Sequence, residues 1–337
     1  MATAQELPSY HADDLLHRGL HDQLTQRRAR LESAMSRQAS ARLTRLLEEV
    51  DNALDRLAGG TYGVCKECHE SIETERLFAD PMACFCLDHL PPEQRRALEA
   101  DLELAARLQS RLLPPRDFQC SHWSTAYHYQ PAGVVSGDFC DLLTGPDNKI
   151  YFALGEVSGK GLAASMLMSN LSAMFRALIP LGVGLSALME HANRVLCDST
   201  LPTQYATLVV GSAGADGAVT ICNAGHAPPL WRHDHSVTRV ECSGLPIGLF
   251  CAQDFDEVKV HLEPGEALVL YTDGISEARN GADAEYGDAR LSEAVSRCGS
   301  LAPASVVAAC IADVNQFRGG APLFDDQTLL IAKRAGA

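Results

Sequence analysis

The sequence has few basic residues for its length. Its 337 residues include 28 Lys and Arg against 43 Asp and Glu, and the formal charge is -15. The first 100 residues and the remainder of the chain are both net acidic. Sequence-independent binding of nucleic acid depends on stripes of Lys and Arg that neutralise phosphates. The composition therefore argues against direct nucleic-acid binding as the main activity.

A long uninterrupted apolar run is also missing. The most apolar stretch, residues 161–189, is interrupted by Asn170 and Arg176, whereas a membrane span needs about 18 consecutive apolar residues. The N-terminus has no basic stretch followed by an apolar core, so it does not look like a secretory signal. We expect a cytoplasmic protein that does not act at a membrane.

Twelve cysteines are unevenly distributed. The eight from Cys120 to Cys310 are scattered, and in a reducing compartment such residues are typical of a buried core. Cys65-x2-Cys68, followed after 17 residues by Cys86-x2-His89, has the ligand spacing of a zinc ribbon. Four ligands close a tetrahedron, so the pattern predicts one structural Zn²⁺. Cys84 could replace Cys86 as third ligand, but only Cys86 keeps the two-residue gap to His89.

The segment around these cysteines resembles the DksA/TraR family of zinc-finger proteins. The resemblance covers about residues 54–90, with a Gly-x-Tyr-Gly-x-Cys-x2-Cys opening and an Arg-Leu-x-Ala-x-Pro centre. This sequence has His89 where a fourth Cys is usual. Members of the family act on RNA polymerase through an acidic coiled-coil tip, and that tip signature has no match here.

The N-terminal third reads as helical. No proline occurs between Asp13 and Leu57, which predicts one long helix or a helical hairpin broken near residues 33–40 and ended by Gly59-Gly60. Apolar residues at alternating steps of four and three predict a coiled-coil seam, and both packing within the domain and self-association remain open. The seam residues are Leu43, Leu47, Val50, Leu54 and Leu57.

A second amphipathic helix follows Pro91-Pro92 and stops at Pro114-Pro115. Beyond it, strand-like runs cluster as neighbours and helical patterns come in blocks, which favours antiparallel sheets covered by helices. The predicted strands are 123–130, 149–157, 205–212, 218–223, 258–262, 266–272 and 327–333. The predicted helices are 162–179, 185–197 and 291–317.

Carboxylates recur next to the apolar strands, in four separate segments. They are Asp138 and Asp141 in SGDFCD, Glu156 in LGEVSGKG, Asp273 in YTDGISEA, and Asp325 and Asp326 in DDQTLL. Carboxylates gathered at one sheet end repel one another unless cations lie between them. Such hard oxygen ligands suit Mg²⁺ or Mn²⁺, and two such ions can share a bridging water and lower its pKa. The pattern therefore indicates hydrolytic chemistry.

The order of seven motifs over about residues 105–333 resembles the PPM-type metal-dependent serine/threonine phosphatases (protein phosphatase 2C fold) of the SpoIIE/RsbU-like branch. The motifs are ARLQSRLLPP, YQPAGVVSGDFCD, LGEVSGKGLAASMLMSNLSAMFRAL, NAGHAPPLW, GLPIGLF, LVLYTDGISEA and DDQTLLIA. The resemblance implies an α+β fold, an antiparallel β-sandwich flanked by helices. It also implies two Mn²⁺ or Mg²⁺ whose bridging hydroxide attacks phosphoserine or phosphothreonine.

The resemblance implies that Asp138, Glu156, Asp273 and Asp325 hold these ions, with the backbone carbonyl of Val157 assisting. Glu156 stands where Asp is more usual, and its extra methylene moves the carboxylate by about 1.5 Å. Ser136 and Cys140 replace a more usual Gly and an aromatic residue. Cys140 is not a phosphatase nucleophile, since the Cys-x5-Arg loop is absent.

The acid for the leaving group stays open, because Ser158 stands where classical members have His. A metal-bound water or Lys160 are the candidates. His226 in NAGHAPP is expected to shape its loop rather than to transfer a proton.

We predict a DksA/TraR-like helical zinc-finger module (1–92), a linker or switch helix (93–115) and a phosphatase domain (116–337). The expected partners are a phosphorylated protein, for instance an anti-sigma factor antagonist, and a second copy of the chain bound through the N-terminal and linker helices. The alternative is a catalytically attenuated zinc-finger regulatory protein acting on the transcription machinery. All four carboxylate positions still bear carboxylates, which favours the enzyme.

Overall fold

A computed structural model describes residues 21, 24–33, 35–36, 41–73, 76–77, 80–200, 204–233, 236–242 and 244–336. The chain divides into two compact units, residues 1–100 and residues 101–337. Each unit is described by itself.

The first unit contains a helical hairpin and the cysteine cluster. Residues 24–33 are helical, helix α1 spans Ala41–Ala58, and a 3-10 turn spans Leu87–His89. Leu24 packs in one cluster with Val50 and Ala53, and Arg28 Nε lies 2.7 Å from Asp51 Oδ1. In one continuous helix, residues 24 and 50 would lie about 39 Å apart. The hairpin is therefore the correct alternative; the expected helix before residue 21 and the break at residues 37–40 lie outside the described residues.

The coiled-coil seam packs inside this unit along part of its length. Val50 is fully buried, and Leu54 and Leu57 pack against the same cluster as Cys65 and Cys86. These contacts support packing within the domain for that part of the seam. Helix α2, Pro92–Ser110, follows the cysteine cluster and contains the division between the two units.

The second unit contains two antiparallel sheets. The strands are β1 Asp117–Cys120, β2 Trp123–Gln130, β3 Asp138–Thr144, β4 Ile150–Val157, β5 Ala206–Ala213, β6 Ala218–Ala224, β7 Leu230–His233, β8 Ser236–Arg239, β9 Glu257–His261, β10 Ala267–Tyr271 and β11 Gln327–Arg334. One sheet has the strand order β1-β2-β11-β10-β7-β8 and the other β3-β4-β5-β6-β9. The helices are α3 Gly161–Leu178, α4 Leu185–Ser199, α5 Asp273–Ser276, α6 Asp288–Arg297 and α7 Pro303–Arg318, with a 3-10 turn at Ile179–Leu181.

Three apolar clusters arrange the second unit in four layers. A central cluster joins the two sheets through residues such as Trp123 and Phe152. A second cluster packs α3 and α4 on one sheet, and a third packs α6 and α7 on the other. The predicted α+β fold, an antiparallel β-sandwich flanked by helices, is confirmed.

Among the described residues, one helical segment, Gly161–Leu181, has the length and the apolar composition that crossing a membrane would require. Its residues Met168, Leu171 and Phe175 are almost fully buried in the cluster against the sheet. The apolar character of this helix therefore has a role in the core of the fold.

Two expectations were wrong. The helix predicted over residues 291–317 is two helices, α6 and α7, because α6 ends at Arg297 and α7 begins only at Pro303. The eight scattered cysteines are not all core residues. Six are buried, but Cys197 at the end of α4 forms a disulfide with Cys251, 54 residues later.

Candidate functional site

Strand register brings two of the carboxylates together. β3 begins at Asp138, and its antiparallel pairing with β4 places Asp138 directly opposite Glu156. Residues directly opposite on neighbouring strands have their Cβ atoms about 5 Å apart, so the two side chains are close neighbours. Asp138 is fully buried.

Two neighbouring strands of the other sheet bring Asp273 and Asp325 to the same place. Asp273 begins α5 two residues after β10 ends, and Asp325 lies two residues before β11, which pairs with β10. A side chain at Gly274 would overlap the backbone carbonyl of Asp326. Glycine at this position therefore permits the close approach of the two segments.

Hydroxyl groups fix the orientation of Asp138. Thr272 and Thr328 both donate hydrogen bonds from Oγ1 to Asp138 Oδ2. Asp138 Oδ1 and Asp273 Oδ1 are buried and accept no hydrogen bond from the described residues. Buried carboxylate oxygens without a donor are costly unless a cation is placed there. The donor set therefore fits divalent metal ions.

The electrostatics lead to the same conclusion. Burial raises the pKa of Glu156, and the negative charges of Asp273 and Asp138 raise it further. Burial likewise raises the pKa of Asp138 well above its ordinary value, although the hydroxyl of Thr328 lowers it. Cations among these groups would favour their charged forms and replace protons.

The backbone carbonyl of Val157 faces a glycine. A Cβ at Gly137 would lie 3.1 Å from Val157 O, and Gly137 accepts a hydrogen bond from Val157 N. Gly137, the residue directly before Asp138, thus leaves space beside the carbonyl of Val157.

The two acids of the DDQTLL motif have different partners. Asp326 accepts hydrogen bonds from Ala132 N, Ser136 Oγ and Gly137 N, so it holds the loop that precedes Asp138. Asp325 instead accepts from Lys160 Nζ at 2.7 Å. Lys160 also donates to the carbonyl of Phe324.

His226 and Ser158, the residue that stands where classical members have His, both form hydrogen bonds within the loops around the site. His226 is buried, its Nδ1 lies 2.9 Å from Thr207 Oγ1, and its Nε2 lies 3.1 Å from the carbonyl of Tyr271. Burial lowers the pKa of His226 to about 4. Ser158 Oγ accepts a hydrogen bond from Tyr205 N. These contacts give both residues a structural role.

Asp141 does not join the other carboxylates. It is almost fully buried and forms a two-point ion pair with Arg176 of α3, with distances of 2.7 and 3.0 Å. The same guanidinium donates to the carbonyl of Leu112, beyond the end of α2. Asp141 therefore connects β3 to α3 and to the segment after α2.

Gln109 is a residue that the sequence did not single out. It lies in the last turn of α2, is buried, and forms two hydrogen bonds with the backbone of Ser136. Its amide donates to Ser136 O at 2.6 Å and its carbonyl accepts from Ser136 N at 3.0 Å. Ser136 Oγ in turn accepts from Asp138 N. The burial of this side chain shows only in the structure, so the sequence alone carried no signal for Gln109.

In the first unit, the predicted zinc ligands converge. The ligand atoms of Cys65, Cys68, Cys86 and His89 all lie within 4.8 Å of one another. The pKa values of the neighbouring thiols Cys65 and Cys86 shift in opposite directions. Burial would raise the pKa of Cys65, but the backbone N–H groups of Cys68 and Cys86 lower it to about 6, whereas burial raises the pKa of Cys86 to about 11. Cys84 donates from its thiol to the carbonyl of Met82. A low thiol pKa favours the thiolate that metals bind.

Comparisons with known proteins concern mainly the second unit. The sequence profile of one family, stage II sporulation protein E (SpoIIE), matches residues 146–335. The phosphoserine phosphatase RsbU of Bacillus subtilis is 27% identical over 188 residues, which are 55% of this chain and 56% of that protein. The chain thus spans little more than half the length of this relative.

Solved structures show the same fold. The RsbU and RsbW domains of Rv1364c from Mycobacterium tuberculosis align with a TM-score of 0.57 and 28% identity, covering 66% of this chain and 62% of that one. The SiaA-PP2C domain of Pseudomonas aeruginosa aligns with a TM-score of 0.63 and 18% identity, covering 72% of this chain and 98% of that one.

We predict that Arg176→Met destabilises the second unit. The substitution leaves the carboxylate of Asp141 buried without its cation, which typically costs 3–5 kcal/mol. We expect the free energy of unfolding to fall by about 3 kcal/mol, the low end of that range, because the side chain of Arg176 is 36% exposed. Urea unfolding followed by tryptophan fluorescence measures it, since both tryptophans lie in this unit.

The double variant Asp141→Asn/Arg176→Met removes the unpaired charge and serves as the control. It should recover part of the lost stability. Equal instability of the single and the double variant would contradict the assigned role of the ion pair.

Proposed function

The chain belongs to the SpoIIE family, and from this membership we propose that it is a metal-dependent protein serine/threonine phosphatase. The observation that carries the proposal is the pair of buried, donor-free carboxylate oxygens of Asp138 and Asp273, close to Glu156 and Asp325. Acidic groups in this arrangement, on this fold, suit the hydrolysis of a phosphate ester.

In this proposal Asp138, Glu156, Asp273 and Asp325 hold two Mn²⁺ or Mg²⁺, and the carbonyl of Val157 assists. When bound, such ions supply an activated water and offset the charge of the phosphoryl group. Thr272 and Thr328 orient Asp138, and Asp326 fixes the loop before it. The exposed ammonium of Lys160 lies beside Asp325. Its positive charge would attract a phosphate group to this end of the sandwich.

We propose a cytoplasmic phosphoprotein as the substrate, plausible examples being anti-sigma factor antagonists. RsbU is named a phosphoserine phosphatase. The resemblance to the SpoIIE/RsbU-like branch supports a serine or threonine phosphate on a regulatory protein. The acidic composition supports a protein substrate over nucleic acid.

For the first unit we propose one structural Zn²⁺ bound by Cys65, Cys68, Cys86 and His89. The convergence of three sulfur atoms and one imidazole nitrogen supports four-coordinate zinc. The unit would then be a DksA/TraR-like zinc-finger module that senses a signal or docks a partner and regulates the phosphatase.

We propose that α2 carries this regulation. Its last turn holds Ser136 through Gln109, and Ser136 lies two residues before Asp138. A shift of α2 would therefore move the loop that presents Asp138. Leu104 and Leu108 of α2 are exposed and lie one turn apart, which supports a homodimer through this helix and the N-terminal helices.

We predict that Asp273→Asn lowers Mn²⁺-dependent hydrolysis by more than about 100-fold, because it removes a negative charge from the proposed metal site. The substrates are p-nitrophenyl phosphate and a phosphoserine protein. The matched control is Asp254→Asn, which changes an exposed aspartate outside the site.

Activity of Asp273→Asn equal to that of the parent would refute the assignment. Glu156→Asp tests the alternative function with the same substrates. An inactive parent that gains activity through Glu156→Asp would favour the attenuated zinc-finger regulator.

We predict about one zinc ion per purified chain, by elemental analysis, and much less after Cys65→Ala. Cys84→Ala should keep the zinc, because Cys84 lies outside the four converging ligands. Equal loss of zinc from both variants would show that the ligand set is wrong.

We predict that Gln109→Ala raises the Mn²⁺ concentration needed for half-maximal activity by about tenfold, because two buried backbone groups of Ser136 lose their partners. Gln94→Ala, on an exposed position of the same helix, is the control. An unchanged Mn²⁺ dependence in Gln109→Ala would contradict the coupling.

A further inference from the structure

A cavity of about 380 Å³ lies beside the carboxylate cluster in the second unit. Its polar wall consists of Lys160, Asp325 and Asp326. The remaining wall is mainly apolar and comes from four segments. It is formed by Leu102, Ala132, Gly133, Val134, Val135, Gly161, Leu323 and Phe324. We call this cavity the flanking pocket.

The rim of the flanking pocket exposes large apolar side chains. Val134 is 53% exposed and Phe324 is 60% exposed, whereas the neighbouring Val135 is buried. Both exposed residues lie within four positions of a proposed metal ligand, Asp138 or Asp325. Exposed apolar groups around a concave site are typical of surfaces that bind another molecule.

The charged groups of this pocket are already paired. Asp325 accepts a hydrogen bond from Lys160, and Asp326 accepts three from the loop 132–137. A bound molecule therefore meets apolar surface and charged groups that already have partners. Binding in this pocket is therefore more favourable in free energy for an apolar side chain than for a charged one.

We propose that the flanking pocket binds a bulky apolar side chain that lies one or two residues from the phosphoserine of the substrate. This inference rests on the proposed phosphatase function and specifies its substrate class. One residue of extended chain spans about 3.3–3.6 Å. Two residues of extended peptide therefore span about 7 Å. Because Asp325 borders both the carboxylates and this pocket, a peptide whose phosphate lies at the carboxylates can place a side chain one or two residues away in the flanking pocket.

Another cavity beside the carboxylates has a different lining. It has a volume of about 240 Å³ and is lined by Glu156 and Asp273 together with Ser158, Tyr205, Thr207 and His226. Hydroxyl and carboxylate groups dominate this lining. An apolar neighbour of the phosphoserine is therefore better accommodated in the flanking pocket.

The test uses phosphoserine peptides that carry Leu or Ala at each of the two positions before and after the phosphoserine, with Mn²⁺ and the full chain. We expect kcat/KM to favour Leu over Ala by on the order of tenfold at one of these positions. Val134→Asn should reduce that preference to about twofold or less. The rate of each variant on p-nitrophenyl phosphate, which has no flanking residue, normalises its peptide rates.

Val195→Asn is the matched control, since Val195 of α4 is 46% exposed and lies outside the pocket. It should keep the preference for Leu. If p-nitrophenyl phosphate is hydrolysed but no position prefers Leu, the pocket assignment is overturned and the phosphatase function stands. If neither substrate type is hydrolysed, the phosphatase function fails, and the assignment fails with it.

Two further results would overturn the assignment. An equal fall of all rates in Val134→Asn, with the Leu preference intact, would show that Val134 acts only through the metal site. A lower mass of Val134→Asn by light scattering, again with the preference intact, would show that a second copy of the chain covers this face.

Discussion

The structure depends on keeping four carboxylates together at one end of the β-sandwich. Asp138 and Glu156 face each other across β3 and β4, and burial raises the pKa of both. The negative charge of Asp273 raises both pKa values further. Backbone register, the hydroxyls of Thr272 and Thr328, and the loop held by Asp326 fix this arrangement. In the proposed function, divalent cations compensate the unfavourable free energy of holding these carboxylates together.

Regular elements could be predicted where the pattern was long and strongly apolar. β2, β4 and β11 lie within one residue of the predicted limits. β3 was missed because Asp138 and Asp141 make its short segment look like a turn, although Asp141 is neutralised by Arg176 from α3. β1, β7 and β8 have four residues each, which is too short for a periodic signal.

The candidate site could be predicted as a set of residues but not as a geometry. Motif order identified the carboxylates, whereas the partners of Asp325 and Asp326 depend on contacts across more than 150 residues of sequence. Gln109 was invisible for the same reason, since its importance comes from Ser136 in another segment. The pairing of Cys197 with Cys251 also depends on tertiary proximity, which cysteine counting cannot supply.

The two-metal site is tested most directly by anomalous diffraction from crystals grown with Mn²⁺, recorded on both sides of the manganese absorption edge. We expect two manganese peaks in the second unit, within bonding distance of carboxylate oxygens of Asp138, Glu156, Asp273 and Asp325. Manganese ions bound only by other residues, or no manganese at these four carboxylates, would contradict the two-metal site.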